Sequence, residues 1–131
     1  MFRRKQEKQL RVLSKCLSNL QVICNGQAAY MYITREELAE LDANSEHINN
    51  IVNYAKEIEG VKIAFLLHQT IDGTIRANLR SESPYRVDKI AESHGGGGHA
   101  FASGCFMGKD MELAIKELTL DLENEINNNN I

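Results

Sequence analysis

A chain of 131 residues has room for one domain with a proper hydrophobic core and too little for two ordinary domains. Hydrophobic residues at 43% and charged residues at 25% match soluble globular proteins, which excludes a disordered or fibrous chain. The formal net charge of -3 excludes the broad positive surface on which sequence-independent duplex DNA binding depends, so any anion site must be local.

The first stretch carries Arg3, Arg4, Lys5, Lys8, Arg11 and Lys15, with no long apolar run after them, so it is neither a signal peptide nor a membrane span. Leu10, Leu13, Leu17 and Leu20 recur at helical spacing and predict an amphipathic helix over residues 3–20. Such a helix either faces this chain's core or leans on a neighbouring domain. Cys16, Cys24 and Cys105 are odd in number and show no CxxC or Cys/His spacing, which favours a reducing cytosol over a disulfide framework or a zinc site.

Residues 27–34 are rich in Tyr, Met and Ile and predict a strand after an Asn25-Gly26 turn; residues 35–44 give no clear pattern. Ser45 is a plausible N-cap for a helix whose apolar stripe is Ile48, Ile51, Val52, Ala55 and Ile58, ended by Gly60. Residues 61–70 form an almost continuous apolar run, as in a strand covered on both faces, and Asp72-Gly73 then marks a hairpin turn. In residues 74–81, Ile75, Ala77 and Leu79 take one face while Arg76, Asn78 and Arg80 take the other. Pro84 ends that strand, and Val87, Ile90 and Ala91 suggest a short helix. A further strand is expected over residues 101–107. Asp110 then caps a final helix buried along Met111, Ala114, Ile115, Leu118 and Leu122, with residues 127–131 as a disordered tail. The fold class is α/β (α+β): a small mixed sheet containing a hairpin, covered by helices.

Gly95, Gly96, Gly97 and Gly98 followed by His99 is the most informative segment. At an average glycine usage of about 7%, a given run of four has odds of roughly two in 100,000. Consecutive glycines carry a large ordering cost, so they mark torsions closed to other residues or close backbone approach to a ligand. A loop of this kind is expected to turn several successive N–H groups toward one phosphate. It has neither the GxxxxGK[ST] nor the GxGxxG spacing. His99 beside it is placed to donate to a phosphate oxygen, whereas His47, His68 and His94 take an ordinary surface or core role. Arg80 and Ser81 end the hairpin strand, and an arginine there suits bidentate phosphate contact; Ser103 and Gly104 offer another hydroxyl or backbone donor.

Leu79-Arg80-Ser81, Val87-Asp88-Lys89-Ile90-Ala91 and the stretch from Gly95 through His99 to Cys105 resemble the DHH-associated domain of DHH-family phosphoesterases. The likeness runs from about Gln27 to the last helix, with Ile51-Val52-Asn53 resembling a further family segment. It divides the chain into a connector over residues 1–24, leading toward an absent catalytic domain, and a substrate-binding domain over residues 25–126. By resemblance Arg80, Ser81, Gly96, Gly97, Gly98 and His99 contact substrate phosphate or base, with Asn53 and Ser103 matching more loosely; Asn78 stands where the family often has serine. The resemblance implies a second lobe that holds manganese and cleaves the phosphoester. These residues contain no Asp-His-His triplet and no Asp-x-Asp pair, so no catalytic or metal-ligating residue is assigned here, no cofactor is expected on this chain, and alone it should be inactive.

Within the family the pattern is most similar to the nano-RNase and 3'-phosphoadenosine 5'-phosphate phosphatase group, which implies a short RNA or nucleotide as substrate and the DHH catalytic domain as partner. Cyclic-di-AMP phosphodiesterases share the glycines and the histidine, and RecJ-like exonucleases act on single-stranded DNA. A non-catalytic RNA or tRNA-binding module, as in alanyl-tRNA synthetases, is a different class of reading; homodimerisation through the N-terminal helix is a third.

Overall fold

The computed structural model describes the backbone of residues 2–48 and 50–129, and the side chains of that range from residue 7 onward. Its elements in chain order are α1 (Phe2–Ser18), β1 (Gln21–Ile23), β2 (Ala28–Ile33), α2 (Arg35–Glu40), α3 (Val52–Lys56), β3 (Ile63–Gln69), β4 (Ile75–Ser81), α4 (Asp88–Ser93), β5 (Gly97–His99), β6 (Ala102–Phe106) and α5 (Met111–Asn129). Six strands form one sheet in the order β1-β2-β3-β4-β6-β5; β2 and β3 are parallel and every other pair is antiparallel. The expected mixed sheet with a hairpin, covered by helices, is what forms.

Strand alternation divides the core in two. Ile63, Phe65 and Leu67 of β3 with Ile75, Ala77 and Leu79 of β4 meet α4 and the Ala114, Leu118, Leu122 and Ile126 stripe of α5. On the other face, Ala29, Met31 and Ile33 of β2 with Ala64 and Leu66 of β3 meet α1, α2 and α3. β3 is buried on both sides, as its unbroken apolar run requires.

The helices differ from their sequence patterns in instructive ways. α1 buries Val12 and Cys16 completely, while Leu10 and Leu17, two of the expected stripe, are exposed. Residues 35–40 form α2 because Thr34 and Glu37 make a reciprocal capping box, the Thr34 hydroxyl accepting from the Glu37 N–H and the Glu37 carboxylate from the Thr34 N–H. The helix expected from Ser45 is broken. Residues Ser45–Ile48 make one 3-10 turn, Asn50 has φ +64°, and only Val52–Lys56 is α-helical, although Ile48, Ile51, Val52 and Ala55 are all buried as the stripe required. At the other end α5 continues through residues 127–129, where disorder was expected, and the Asn129 amide donates to the Glu125 carbonyl at 2.8 Å. Asn130 and Ile131 lie outside the described residues.

Ser45 serves the fold differently from a cap. Its hydroxyl oxygen is 3.1 Å from Nδ1 of His68, a β3 residue that is buried next to Arg76. Burial and then the Arg76 guanidinium push the His68 imidazole down to about 4. The folded pKa therefore lies below the unfolded one, so the unfolded chain binds more protons as pH falls. Stability is full above about pH 6.5 and declines through pH 4, by about 3 kcal/mol at roughly 1.4 kcal/mol per unit. Denaturant titrations at pH 7 and pH 4.5 should show this slope shrinking in His68→Gln.

Candidate phosphate site on the open half of the sheet

The layer of α1, α2 and α3 covers β2 and β3, reaches β4 through α3, and leaves the outer part of the β4-β6-β5 half open. There, strand alternation gathers a row of side chains that no helix buries: Arg76, Asn78 and Arg80 from β4, Phe106 from β6 and His99 from β5. In register, Arg80 pairs with Ala102 and Ala102 with His99, so an arginine and a histidine flank one small residue. The next rung is Asn78, Gly104 and Gly97, two of which carry no side chain. Asn53 sits one helical turn before Lys56, whose ammonium reaches Glu82 just beyond β4 at 2.6 Å, so Asn53 shares that flank of α3.

Charge at this corner is positive despite the acidic chain. Arg80 is half-buried, its Nη1 donates to the Leu79 carbonyl at 2.8 Å, and among the described residues no carboxylate pairs with it. Glu82, the nearest acid in sequence, is already held by Lys56 and by Lys62 at 3.5 Å. Burial lowers the Arg80 pKa, because the cation gives up part of its water and among the described residues gains only the Leu79 carbonyl in exchange for it. An incoming anion would replace that water.

The glycine run is built differently from the expected phosphate-cradling loop. Gly95, at φ +84°, and Gly96 close α4: their N–H groups donate to Glu92 and Ala91 carbonyls at 3.0 and 2.8 Å, the paired bonds of a Schellman cap. Residues Gly97–His99 are then an edge strand. His99 and Ala102 flank a two-residue turn and so form a hydrogen-bonded pair; by alternation Gly98 and Ser103 are an unbonded pair, which turns the Gly98 N–H out of the sheet edge. One main-chain donor is therefore presented, where several were expected.

The four glycines have different reasons to be there. A Cβ on Gly96 would lie 2.2 Å from the Gly104 carbonyl oxygen, and one on Gly98, at φ +146°, would lie 2.7 Å from the Ser103 Cα. Gly95 needs its positive φ. Gly97 has neither constraint: a Cβ there would meet nothing within 4 Å, and it would project onto the open face beside His99. Its bareness keeps that face flat.

Ser81 and Ser103 do not join this face. Alternation places both on the side of Leu79, where the Ser81 hydroxyl donates to the Tyr85 carbonyl at 2.6 Å and the Ser103 hydroxyl to the Val87 carbonyl at 2.8 Å. The remaining histidines hold the fold: His94 Nε2 is 2.7 Å from Asp121 Oδ2, tying α4 to α5, and His47 Nδ1 accepts from the Asn44 N–H at 3.2 Å. Among the described residues no three His, Cys, Asp or Glu side chains converge as metal ligands would, so manganese has no fit here. No described helix is long and apolar enough to cross a membrane. A cavity of about 560 Å3 opens elsewhere, lined in part by Leu10, Leu13, Ile51 and Tyr54; among the described residues no lysine or arginine lines it. Sequence reasoning passed over Phe106, which its alternation with Gly104 would have placed on the open face.

Comparison with known proteins identifies the family and the fold. The sequence profile of the DHHA1 domain matches residues 25–128. The probable bifunctional oligoribonuclease and PAP phosphatase NrnA of Streptococcus mutans is 31% identical over 86 residues, covering 66% of this chain and 27% of that protein. An exopolyphosphatase-related protein from Bacteroides fragilis superposes with TM-score 0.83 at 29% identity, over 90% of this chain and 35% of its own. The pGpG-specific phosphodiesterase PggH of Vibrio cholerae shares the fold, with TM-score 0.61 at 16% identity, over 92% and 40%. The chain thus spans between about a quarter and two fifths of the length of these relatives. With 104 consecutive positions matched, this chain belongs to the DHHA1 domain family, the DHH-associated domain of the DHH phosphoesterases.

Proposed function

We propose that this domain is the substrate-gripping half of a phosphoesterase acting on nucleotides or short single-stranded nucleic acid, with the phosphate held by Arg80, His99 and the outward Gly98 N–H. The observation that carries it is the half-buried Arg80 guanidinium, unpaired among the described residues, beside a side-chain-free floor. A guanidinium offers a forked pair of donors that matches phosphate oxygens, and partial burial strengthens the contact. Asn78 flanks the same floor, and on this reading Asn78 and Asn53 serve as neutral donors to sugar or phosphate. Ser81 and Ser103 act on this reading as supports for the strands that carry Arg80 and the floor.

The similarity to an oligoribonuclease and PAP phosphatase supports short RNA or a small nucleotide as substrate. Cleavage and manganese belong on this reading to a DHH lobe that faces the open half of the sheet, since this domain brings together no metal ligands among its described residues. Calorimetric titration of the isolated chain with AMP and with adenosine tests the reading. AMP should bind with an affinity that weakens as salt is raised, and adenosine should bind far less. Equal binding of the two would overturn it.

A further inference from the structure

Phe106 is 58% exposed on the same open face, and the Arg76 guanidinium carbon lies 5.4 Å from its ring centroid. A single exposed aromatic needs no explanation. This one, however, is the end of an aligned series. Phe106 pairs in register with Arg76, and both side chains share the face of Arg80 and His99 because they are separated from Arg80 and Ala102 by an even number of residues. Arg76, like Arg80, pairs with no carboxylate among the described residues. Between the two ends lie Gly104 and Gly97, so no side chain on those strands obstructs a ligand stretched from one end to the other.

We infer that the Arg76–Phe106 pair is a second subsite, which stacks the base of a neighbouring nucleotide, so that the face is built for a chain of at least two linked nucleotides. This rests on the phosphate reading of Arg80. Phe106 lies four positions along β6 from Ala102, about 13 Å at a strand rise near 3.3 Å per residue. A mononucleotide gripped by its phosphate at Arg80 and His99 does not lay its own base that far away; the next nucleotide along does. Phenylalanine has a ring face and no hydrogen-bonding group, so it accepts any base, as stacking platforms for single strands do. The cation held against the ring by its quadrupole fixes the platform and puts a positive charge near the linking phosphate.

The test compares the affinities of AMP and of the dinucleotide pApA for the wild-type chain and for Phe106→Leu and Phe106→Trp, with thermal midpoints to confirm folding. The wild type should favour pApA over AMP roughly tenfold or more, Phe106→Leu should collapse that ratio toward one, and Phe106→Trp should keep it. An unchanged ratio in Phe106→Leu, or no preference for pApA in the wild type, overturns the second subsite while AMP binding leaves the phosphate site standing. Failure of the wild type to bind either ligand overturns both.

Discussion

Arg80→Ala should weaken AMP binding by tenfold to a hundredfold while leaving the fold within about 1 kcal/mol of wild-type stability. The binding loss corresponds to about 1.5–3 kcal/mol for hydrogen bonds made by a charged group, here a forked pair to one phosphate. The small effect on stability follows because Arg80 makes no ion pair in the described structure, only one bond to the neighbouring Leu79 carbonyl, and its removal relieves a partly dehydrated charge. Arg80→Lys keeps the charge and loses the fork, and should fall between the two. Calorimetry gives the affinity and denaturant melts give the stability; a large loss of stability with unchanged affinity would make Arg80 a structural residue.

Gly96→Ala should cost about 1–3 kcal/mol or more, since its Cβ would be driven into the Gly104 carbonyl oxygen and Cys105, backbone that cannot swing aside. Relief requires β5 to peel from β6, which carries His99 away from Arg80, so affinity for AMP falls along with the melting temperature. Gly97→Ala, one residue on, has open space and an ordinary φ. It should match or slightly exceed wild-type stability, because alanine loses less freedom on folding, yet bind AMP more weakly by roughening the floor. Melting curves and AMP titrations of the two variants separate a glycine kept for packing from one kept for the ligand.

Much of this was legible in sequence because strands alternate. Arg76, Asn78 and Arg80 against Ile75, Ala77 and Leu79 fixed which face of β4 is polar, and the buried run before Asp72-Gly73 fixed the central strand. That turn proved wider than a two-residue hairpin: Gly73 adopts φ +93°, and the Thr70 hydroxyl and Thr74 N–H bond the Asp72 carboxylate, pulling it down to about 2. The same alternation assigns Ser81 and Ser103 to the opposite face, a consequence that motif likeness alone does not carry.

Other features lay beyond pattern reading. β1 is three residues at a sheet edge, too short for any period to register. The stripe from Ile48 to Ala55 is correct in burial but cannot reveal that Asn50 enters the left-handed region and breaks the helix. A run of four glycines says that side chains are unwelcome without saying why. Helix capping by Gly95 and Gly96, strand contact at Gly98 and open space at Gly97 are distinguished only by what stands across from them in β6.

The sharpest measurement is the residue-by-residue footprint of AMP on the amide spectrum of the isotopically labelled chain. Phosphate held on the open face should give the largest displacements at Gly97, Gly98 and His99 together with the Arg80 side-chain Nε–H. Displacements centred instead on Leu13, Ile51 and Tyr54 in the cavity between α1 and α3, with the edge strand β5 silent, would contradict that placement.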